Sequence, residues 1–498
     1  MSDKPVRTRF APSPTGPMHI GNLRQAVFGW LYAKHCGGQF ILRIEDTDQK
    51  RFVEGSLDYI IGALRWLGLE YDEGPDVGGP YAPYIQSERL KLYQDSVQWL
   101  LDNDKAYKCF CTSERLDRVN KEKQARKEPP GYDRHCRTLT ADEVAAKEAE
   151  GLPYVVRMKM PLEGTTKGHD IILGDVEFPN NTLQDAVILK SDGFPTYHLA
   201  HVVDDHYMEI THTTRGQEWL PSFPLHINIW NAFGWEMPQH AHLPLILNPN
   251  GQGKLSKRKE SFDQSGQRVL IKVSEYIEAG YLSDATFNFL ANIGWNFGDD
   301  KEIFTVEEAI ERFDLKDVNP ANAAFPVEKL DWLNGLYIRE KAPEALAELL
   351  VPVVAEAGLN ADPELVGKVA PVAQTRIKTL NEFIGLAGFF FEDWSKFQAP
   401  PADMLIQKKM DAAGTKRCLE ASITVLEASE SFEHNDLYAT FKDLAQELDV
   451  KNGQLFGTLR VALTGQTIST PTFETMEILG KDESIRRLEL ALGQFADI

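Results

Sequence analysis

The stretch RFAPSPTGPMHIGNLRQAVFGWL, from Arg9 to Leu31, limits the fold more than any other part of the chain. The run from Val6 to Ala11 reads as a short buried strand. Pro12, Pro14 and Pro17 then stiffen a tight turn, and Gly16 supplies backbone angles that other residues avoid. Ile20, Leu23, Val27 and Leu31 follow at helical spacing. GGQFILRIEDTD next predicts a second buried strand ending near Glu45. SLDYIIGALRWLGL predicts an amphipathic helix with Ser56 as its cap. Strand, helix, strand, helix is the pattern of a parallel, doubly wound α/β sheet.

At 498 residues the chain is too long for one ordinary core. The βα style lapses from about Ile85 to Leu189 and returns at TYHLAHVVDDHYMEITHTTRGQEWL, so the middle reads as an insertion between two halves of one nucleotide fold. Beyond about Asp331 the patterns are mostly helical, with FQAPPADM near Pro400 as a break between two helical parts. No apolar run approaches the ~20 residues of a membrane span. MSDKPVRTRFAPS has no apolar leader, and five cysteines, an odd number, fit a reduced, cytoplasmic protein rather than a disulfide framework.

The net charge of −21 by itself points away from nucleic acid. The charge is uneven, however. Arg115 to Arg137 carries eight Lys or Arg residues, and KLSKRK from Lys254 is a second basic cluster. Each can meet a polyanion locally, or be a solvated charged face.

A turn between a strand and a helix start is a phosphate site, because helix N-termini offer unpaired N–H groups and partial positive charge. His19 sits at that entrance, where it can donate to a phosphate oxygen or simply cap the helix. Gly21 leaves room for a flat base. Far along the chain, GKLSKRK places Lys254 and Lys257 on a glycine-flanked loop suited to a triphosphate. A third constellation is Cys109-Phe110-Cys111 with Tyr132 and Cys136. Its three thiols and a phenol can form a tetrahedral zinc site, with His135 as the rival fourth ligand, or stay as reduced thiols. Cys36 and Cys418 read as core residues.

His19-Ile20-Gly21-Asn22 and Lys254-Leu255-Ser256-Lys257-Arg258 resemble, in this order, the two signatures of class I aminoacyl-tRNA synthetases, with Asn in the last place of the first. RFAPSPTG, RIEDTD, YDEGP, YIQSER and GFPTYHLAHVVDDHYMEITHTTRGQEWL narrow the resemblance to bacterial-type glutamyl-tRNA synthetase, across essentially the whole chain. The resemblance implies a Rossmann-type parallel-sheet catalytic domain with an α+β insertion and a helical C-terminal anticodon-binding region. The expected divisions are 1–84 and 196–248 for the catalytic halves, 85–195 for an acceptor-end lobe, and 249–331 for a stem-contact region with the KLSKR loop. Two helical domains, 332–399 and 400–498, complete the chain.

It further implies that L-glutamate and Mg2+-ATP form glutamyl-adenylate, from which tRNA(Glu) takes the glutamyl group. His19, Lys254 and Lys257 would be catalytic, and Pro12, Gly16, Gly21, Asn22 and Ser256 would complete the ATP site. Arg9, Ala11, Ser13, Glu45, Tyr197, Arg215 and Trp219 match glutamate-binding positions, and His201 stands where some relatives carry Asn. Some relatives hold zinc with a C-x-C start and a Y-x3-C end, matched here by Cys109, Cys111, Tyr132 and Cys136. Arg376, Leu459, Arg460 and Thr464 correspond to an anticodon face, with Arg376 on a helix and tied to preference for tRNA(Glu) over tRNA(Gln). A monomer without membrane attachment is expected. A glutaminyl enzyme or a non-catalytic tRNA-binding paralogue are the rival readings.

Overall fold

The computed structural model describes residues 4–256, 260, 262, 263, 266, 268–298 and 301–496. The chain divides into two compact units, Met1–Tyr276 with Thr286–Val327, and Ile277–Ala285 with Glu328–Ile498.

Among the described residues the first unit has eleven strands: β1 (Arg7–Phe10), β2 (Gln39–Leu42), β3 (Ala106–Cys109), β4 (Val155–Met158), β5 (Thr165–Asp170), β6 (Gly174–Pro179), β7 (Val187–Leu189), β8 (His212–Gly216), β9 (Gln239–Leu243), β10 (Ile246–Leu247) and β11 (Ala323–Ala324). Its main sheet runs β2-β1-β8-β9-β5-β6. The pairs β1–β2, β1–β8, β8–β9 and β5–β9 are parallel, and β6 closes the edge antiparallel to β5. The middle of the chain therefore does two things. It lends β5 and β6 to the main sheet, and it builds a separate antiparallel sheet, β3-β4-β7.

The Ile20–His35 helix crosses from β1 to β2. The expected apolar stripe is its core face: Ile20, Leu23, Val27 and Leu31 are all buried. The next helix, Ser56–Trp66, corrects one expectation. Its N-cap is Gly55 at φ 77°, with no side-chain cap, and Ser56 lies inside the first turn. The Ser56 hydroxyl instead accepts from Gly16 N across 2.9 Å.

The second unit is helical. Its core runs without a break from Leu282 through Phe389, Leu405 and Cys418 to Phe495. Arg376 lies in the turn after the Pro363–Gln374 helix rather than on a helix. Cys418 is buried as expected, whereas Cys36 is exposed. No helix among the described residues is long and apolar enough to cross a membrane.

Candidate active site

The proline turn is fixed from three sides. Glu45 N donates to Pro12 O at 3.0 Å, Val53 N to Pro14 O at 3.0 Å, and Gly16 N to Ser56. Gly16 has φ 102°, the left-handed conformation that a side chain resists. His19 is the N-cap of the following helix, and its Nδ1 accepts from Gly21 N at 2.8 Å. A neutral ring that accepts at Nδ1 carries its proton on Nε2, so His19 is both cap and potential donor. Gly21 has a closer reason than room for a base: a Cβ there would stand 3.1 Å from His19 Nδ1. Backbone bonds Ile20 N to Ile271 O and Val273 N to Met18 O, both 2.9 Å, tie this turn to a later segment.

Two cavities meet at this end of the sheet. One, about 320 Å³, is lined by His19, Gly21, Asn22, Lys254 and Ser256. The other, about 710 Å³, is lined by Arg9, Ala11, Pro12, Ser13, Glu45, Tyr197, Arg215 and Trp219. Asn22, Gln25 and Glu218 belong to both linings, so the cavities share a wall. Thus the residues assigned to ATP border one hollow and those assigned to glutamate border its neighbour, with Pro12 on the second; Gly16 lies on neither. Lys254 pairs with Glu218 in that shared wall. Lys257 and Arg258 lie outside the described residues.

The floor of the larger cavity is a buried charge network. Asp205 Oδ1 lies 3.2 Å from Arg9 Nε and 2.8 Å from Arg43 Nη1. Arg43 also reaches Glu45 at 3.0 Å and Asp204 at 3.6 Å. Burial would push the Asp205 carboxyl up, but Arg9 and Arg43 hold it well below the usual carboxylate range. Burial raises the Glu45 carboxyl, and Arg43 and Arg9 oppose that rise. The YIQSER segment supports this network: Arg89 Nε donates to Asp204 Oδ1 at 2.7 Å, and Gln86 Nε2 donates to Asp204 Oδ2 at 2.8 Å. Arg9 is therefore already paired, through Asp205 and a 3.0 Å bond to Thr214 O.

Arg215 differs. It is 2% exposed and bonds His226 Nδ1 through Nη1 at 3.0 Å. Its Nε and Nη2 are buried without a hydrogen-bond partner, and no carboxylate of the described residues pairs with it. Burial lowers its basicity. Tyr197 and Trp219, which line the same cavity, pack against each other at a 36° tilt with ring centroids 4.4 Å apart. His201 is fully buried, 3.7 Å from Asp205, and burial followed by Arg215 pushes it down to about 3. His201 is thus a neutral, buried imidazole beside Asp205.

Away from the sheet, the Sγ atoms of Cys109, Cys111 and Cys136 all lie within 4.8 Å of one another. Tyr132 Oη is 3.3 Å from Cys109 Sγ and 3.8 Å from Cys111 Sγ, and it accepts from Cys136 N at 2.8 Å. Cys136 chiefly, then Tyr132 and Arg157, pull the Cys109 thiol down to about 4 against its burial. His135 is exposed and outside the cluster. Three sulfurs and one phenol oxygen this close together suit a tetrahedral zinc ion.

In the helical unit, exposed Arg376 donates to Ser469 O at 3.2 Å, and its charge, after burial, lowers the basicity of half-buried Arg460. Leu459 is fully buried, and Thr464 Oγ1 is engaged at 2.7 Å with Arg460 O. Of the four expected anticodon residues, the two arginines have side chains near solvent; Leu459 and Thr464 are framework beneath them.

Sequence reading missed Asp205, Arg43, His226 and Glu218. The Asp204-Asp205 pair was visible as two acids in an apolar helical run, four residues after His201. Arg43 and Glu218 stood inside the RIEDTD and TTRGQEWL motifs without being singled out, and nothing local marked His226.

Comparison with known proteins agrees with this geometry. A family model described as "tRNA synthetases class I (E and Q), catalytic domain" matches residues 5–332, and one described as "Anticodon binding domain" matches residues 345–492. A glutamate–tRNA ligase of Dehalococcoides mccartyi is 46% identical over 500 residues, covering 99% of each chain. One from Roseiflexus is 46% identical over 503 residues, covering 98% of this chain and 96% of its own. A crystal structure of a glutamate tRNA ligase from Elizabethkingia meningosepticum, in complex with its amino acid, superposes with TM-score 0.86 at 37% identity, covering 98% and 99% of the two chains. A strand–turn–helix beside an arginine-lined cavity, a helical unit after it and relatives matched over nearly the full length of both chains place this chain in the glutamate–tRNA ligase family of class I aminoacyl-tRNA synthetases.

Proposed function

We propose that the chain activates L-glutamate with Mg2+-ATP, releasing pyrophosphate, and transfers glutamate to the 3′ end of tRNA(Glu). The observation that carries this reading is Arg215: a buried guanidinium with two unengaged donors on the wall of a 710 Å³ cavity. A buried cation without a counterion is unfavourable until an anion arrives. The glutamate side chain supplies that carboxylate, and Arg215 reads it by paired N–H donors. Glu45 receives the substrate's ammonium group. Ala11, Ser13, Tyr197 and Trp219 shape the rest of the site.

Asn22, Ser256 and Gly21 hold ATP in the smaller cavity, with Pro12 and Gly16 fixing the turn above it. His19 donates from Nε2 to the phosphates. Lys254 leaves Glu218 for the leaving phosphates, and Lys257 steadies the α-phosphate as the glutamate α-carboxylate attacks. Mg2+ arrives with ATP and neutralises phosphate charge. The reaction asks for no covalent protein nucleophile, so positioning and charge stabilisation carry it.

Cys109, Cys111, Cys136 and Tyr132 hold one zinc ion, which fixes the 85–195 lobe against the tRNA acceptor end. Residues 249–331 meet the stem, and the helical parts 332–399 and 400–498 read the anticodon through Arg376 and Arg460. Arg376 favours tRNA(Glu) over tRNA(Gln). The protein works as a cytoplasmic monomer. Charging purified tRNA(Glu) and tRNA(Gln) separately with labelled glutamate tests the whole reading. Charging of tRNA(Glu) alone supports it; comparable charging of both removes the discrimination, and charging of neither removes the function.

A further inference from the structure

We infer that His226 is a positioning residue for amino-acid recognition, fixing Arg215 so that its Nε–Nη2 edge is the one offered to substrate. The inference rests on the reading that Arg215 binds the glutamate side-chain carboxylate.

Hydrogen-bond polarity gives the argument its direction. A guanidinium only donates, so across the 3.0 Å contact His226 Nδ1 must accept from Arg215 Nη1. A neutral imidazole that accepts at Nδ1 carries its proton on Nε2. His226 Nε2 lies 3.0 Å from His198 Nδ1, so it donates there, and His198 in turn carries its proton on Nε2. One arginine thus sets the tautomer of two histidines. The arrangement works only while His226 stays neutral. Burial, then the neighbouring His201, Arg215, His198 and His240, keep it so, well below the ordinary histidine range. Burial and Arg215 push His198 down to about 4.

The consequence falls on Arg215. Its Nε–H and Nη2–H point the same way and form one two-pronged edge, which is the fork that a carboxylate matches. Both atoms are buried without partners among the described residues, while the opposite nitrogen is occupied by His226. His226 is itself held: it is fully buried on the Phe223–Phe233 helix, with the His201 ring edge-on at 4.2 Å. A rigid acceptor behind a buried guanidinium removes the side-chain freedom that substrate would otherwise have to freeze out.

The test uses the full-length protein in glutamate-dependent ATP–pyrophosphate exchange with tRNA(Glu) present. Asparagine presents a carbonyl oxygen where histidine has Nδ1, whereas glutamine reaches only the Nε2 place. His226→Asn should keep the KM for glutamate within about threefold of the unaltered protein. His226→Gln and His226→Leu should raise it about tenfold or more, with kcat and the KM for ATP within about twofold, the fold-changes expected from one charge-assisted hydrogen bond. The Asn and Gln variants are both polar and close in volume, so their contrast stands even if the Leu variant does not fold. Equal KM values for Asn and Gln, or losses shared by ATP and kcat, overturn the inference. Arg215→Gln is the control: if it leaves glutamate KM unchanged, the reading of Arg215 falls and the inference with it. If it abolishes glutamate use while all His226 variants behave normally, only the inference falls.

Discussion

Replacing Arg215 by glutamine should separate function from stability in opposite directions. The guanidinium is 2% exposed, has no carboxylate partner among the described residues, and leaves two buried donors unengaged. Removing one partner of a buried, hydrogen-bonded charge pair costs about 2–5 kcal/mol of binding, or about 30-fold to several thousand-fold in affinity. Glutamate KM in pyrophosphate exchange should rise by that much, while the KM for ATP, whose cavity Arg215 does not line, moves by less than about threefold. Stability should move the other way. An unsatisfied buried polar group costs about 1–3 kcal/mol, and the glutamine amide can still donate to His226. The variant should therefore melt at the same temperature or up to about 2 °C higher. The assays are glutamate titration and a thermal melt of the same preparation. A melting point lowered by several degrees would show that Arg215 holds the fold together rather than waiting for an anion. A glutamate KM within threefold of normal would refute its role in recognition.

Asp205→Asn should do the reverse of Arg215→Gln in stability, because it strips the counterion from Arg9 at 3.2 Å and Arg43 at 2.8 Å; a loss of about 3–5 kcal/mol is expected in chemical denaturation. Since the folded Asp205 carboxyl lies well below its unfolded value, its contribution is full above pH ~4 and is lost as pH falls through the folded value, so the deficit of the variant should shrink only in strong acid. Cys136→Ser should release zinc, measured by metal analysis, while the melt of the helical unit, whose core is Leu282 to Phe495, stays unchanged; unaltered protein carrying well under one zinc per chain removes the metal reading. Ser56→Ala takes the acceptor from Gly16 N and should raise the KM for ATP a few fold, a loss of about 1 kcal/mol, with glutamate KM unaffected. Arg376→Gln should narrow the charging ratio between tRNA(Glu) and tRNA(Gln), by about 1–3 kcal/mol if it contacts a base directly.

What the chain reveals in its sequence, and what it does not, divides along the range of the interaction. The strand–turn–helix at Arg9–Leu31 was legible because every determinant is local: prolines fix angles, Gly16 takes φ 102°, and the stripe from Ile20 to Leu31 repeats at helical spacing. The same locality misled at Ser56. A serine ahead of an apolar helical run is the usual sign of a cap, yet Gly55 in the left-handed conformation ends the preceding turn, and the serine hydroxyl turns to Gly16, forty residues away. It also misled at Arg376, where the QTRIKTLNEF pattern continues past the end of the Pro363–Gln374 helix into a turn.

The binding chemistry shows the same division more sharply. Arg9 and Arg215 read alike in sequence, as two arginines suited to one carboxylate. Their surroundings make them different groups. Arg9 sits on β1, where the parallel neighbour β8 and the Tyr197–Tyr207 helix bring it against Asp205. Arg215, at the end of β8, hydrogen-bonds His226 and forms no ion pair with an acid among the described residues, Asp205 and Glu45 acting on it only at longer range. That difference depends on which side chains four separate segments deliver to one place, and no spacing rule encodes it. It also decides the electrostatics of the site. An arginine already neutralised by Asp205 gains little when a second carboxylate arrives, whereas one backed by a neutral imidazole gains nearly the full charge-assisted bond. The net charge of −21 leaves this untouched, because the field at a buried floor is set by groups within a few ångströms, and exposed charges more than ~8–10 Å away are screened by salt. A strongly acidic protein can therefore select an acidic substrate, provided that one buried cation forms no direct ion pair of its own, as Arg215 forms none among the described residues.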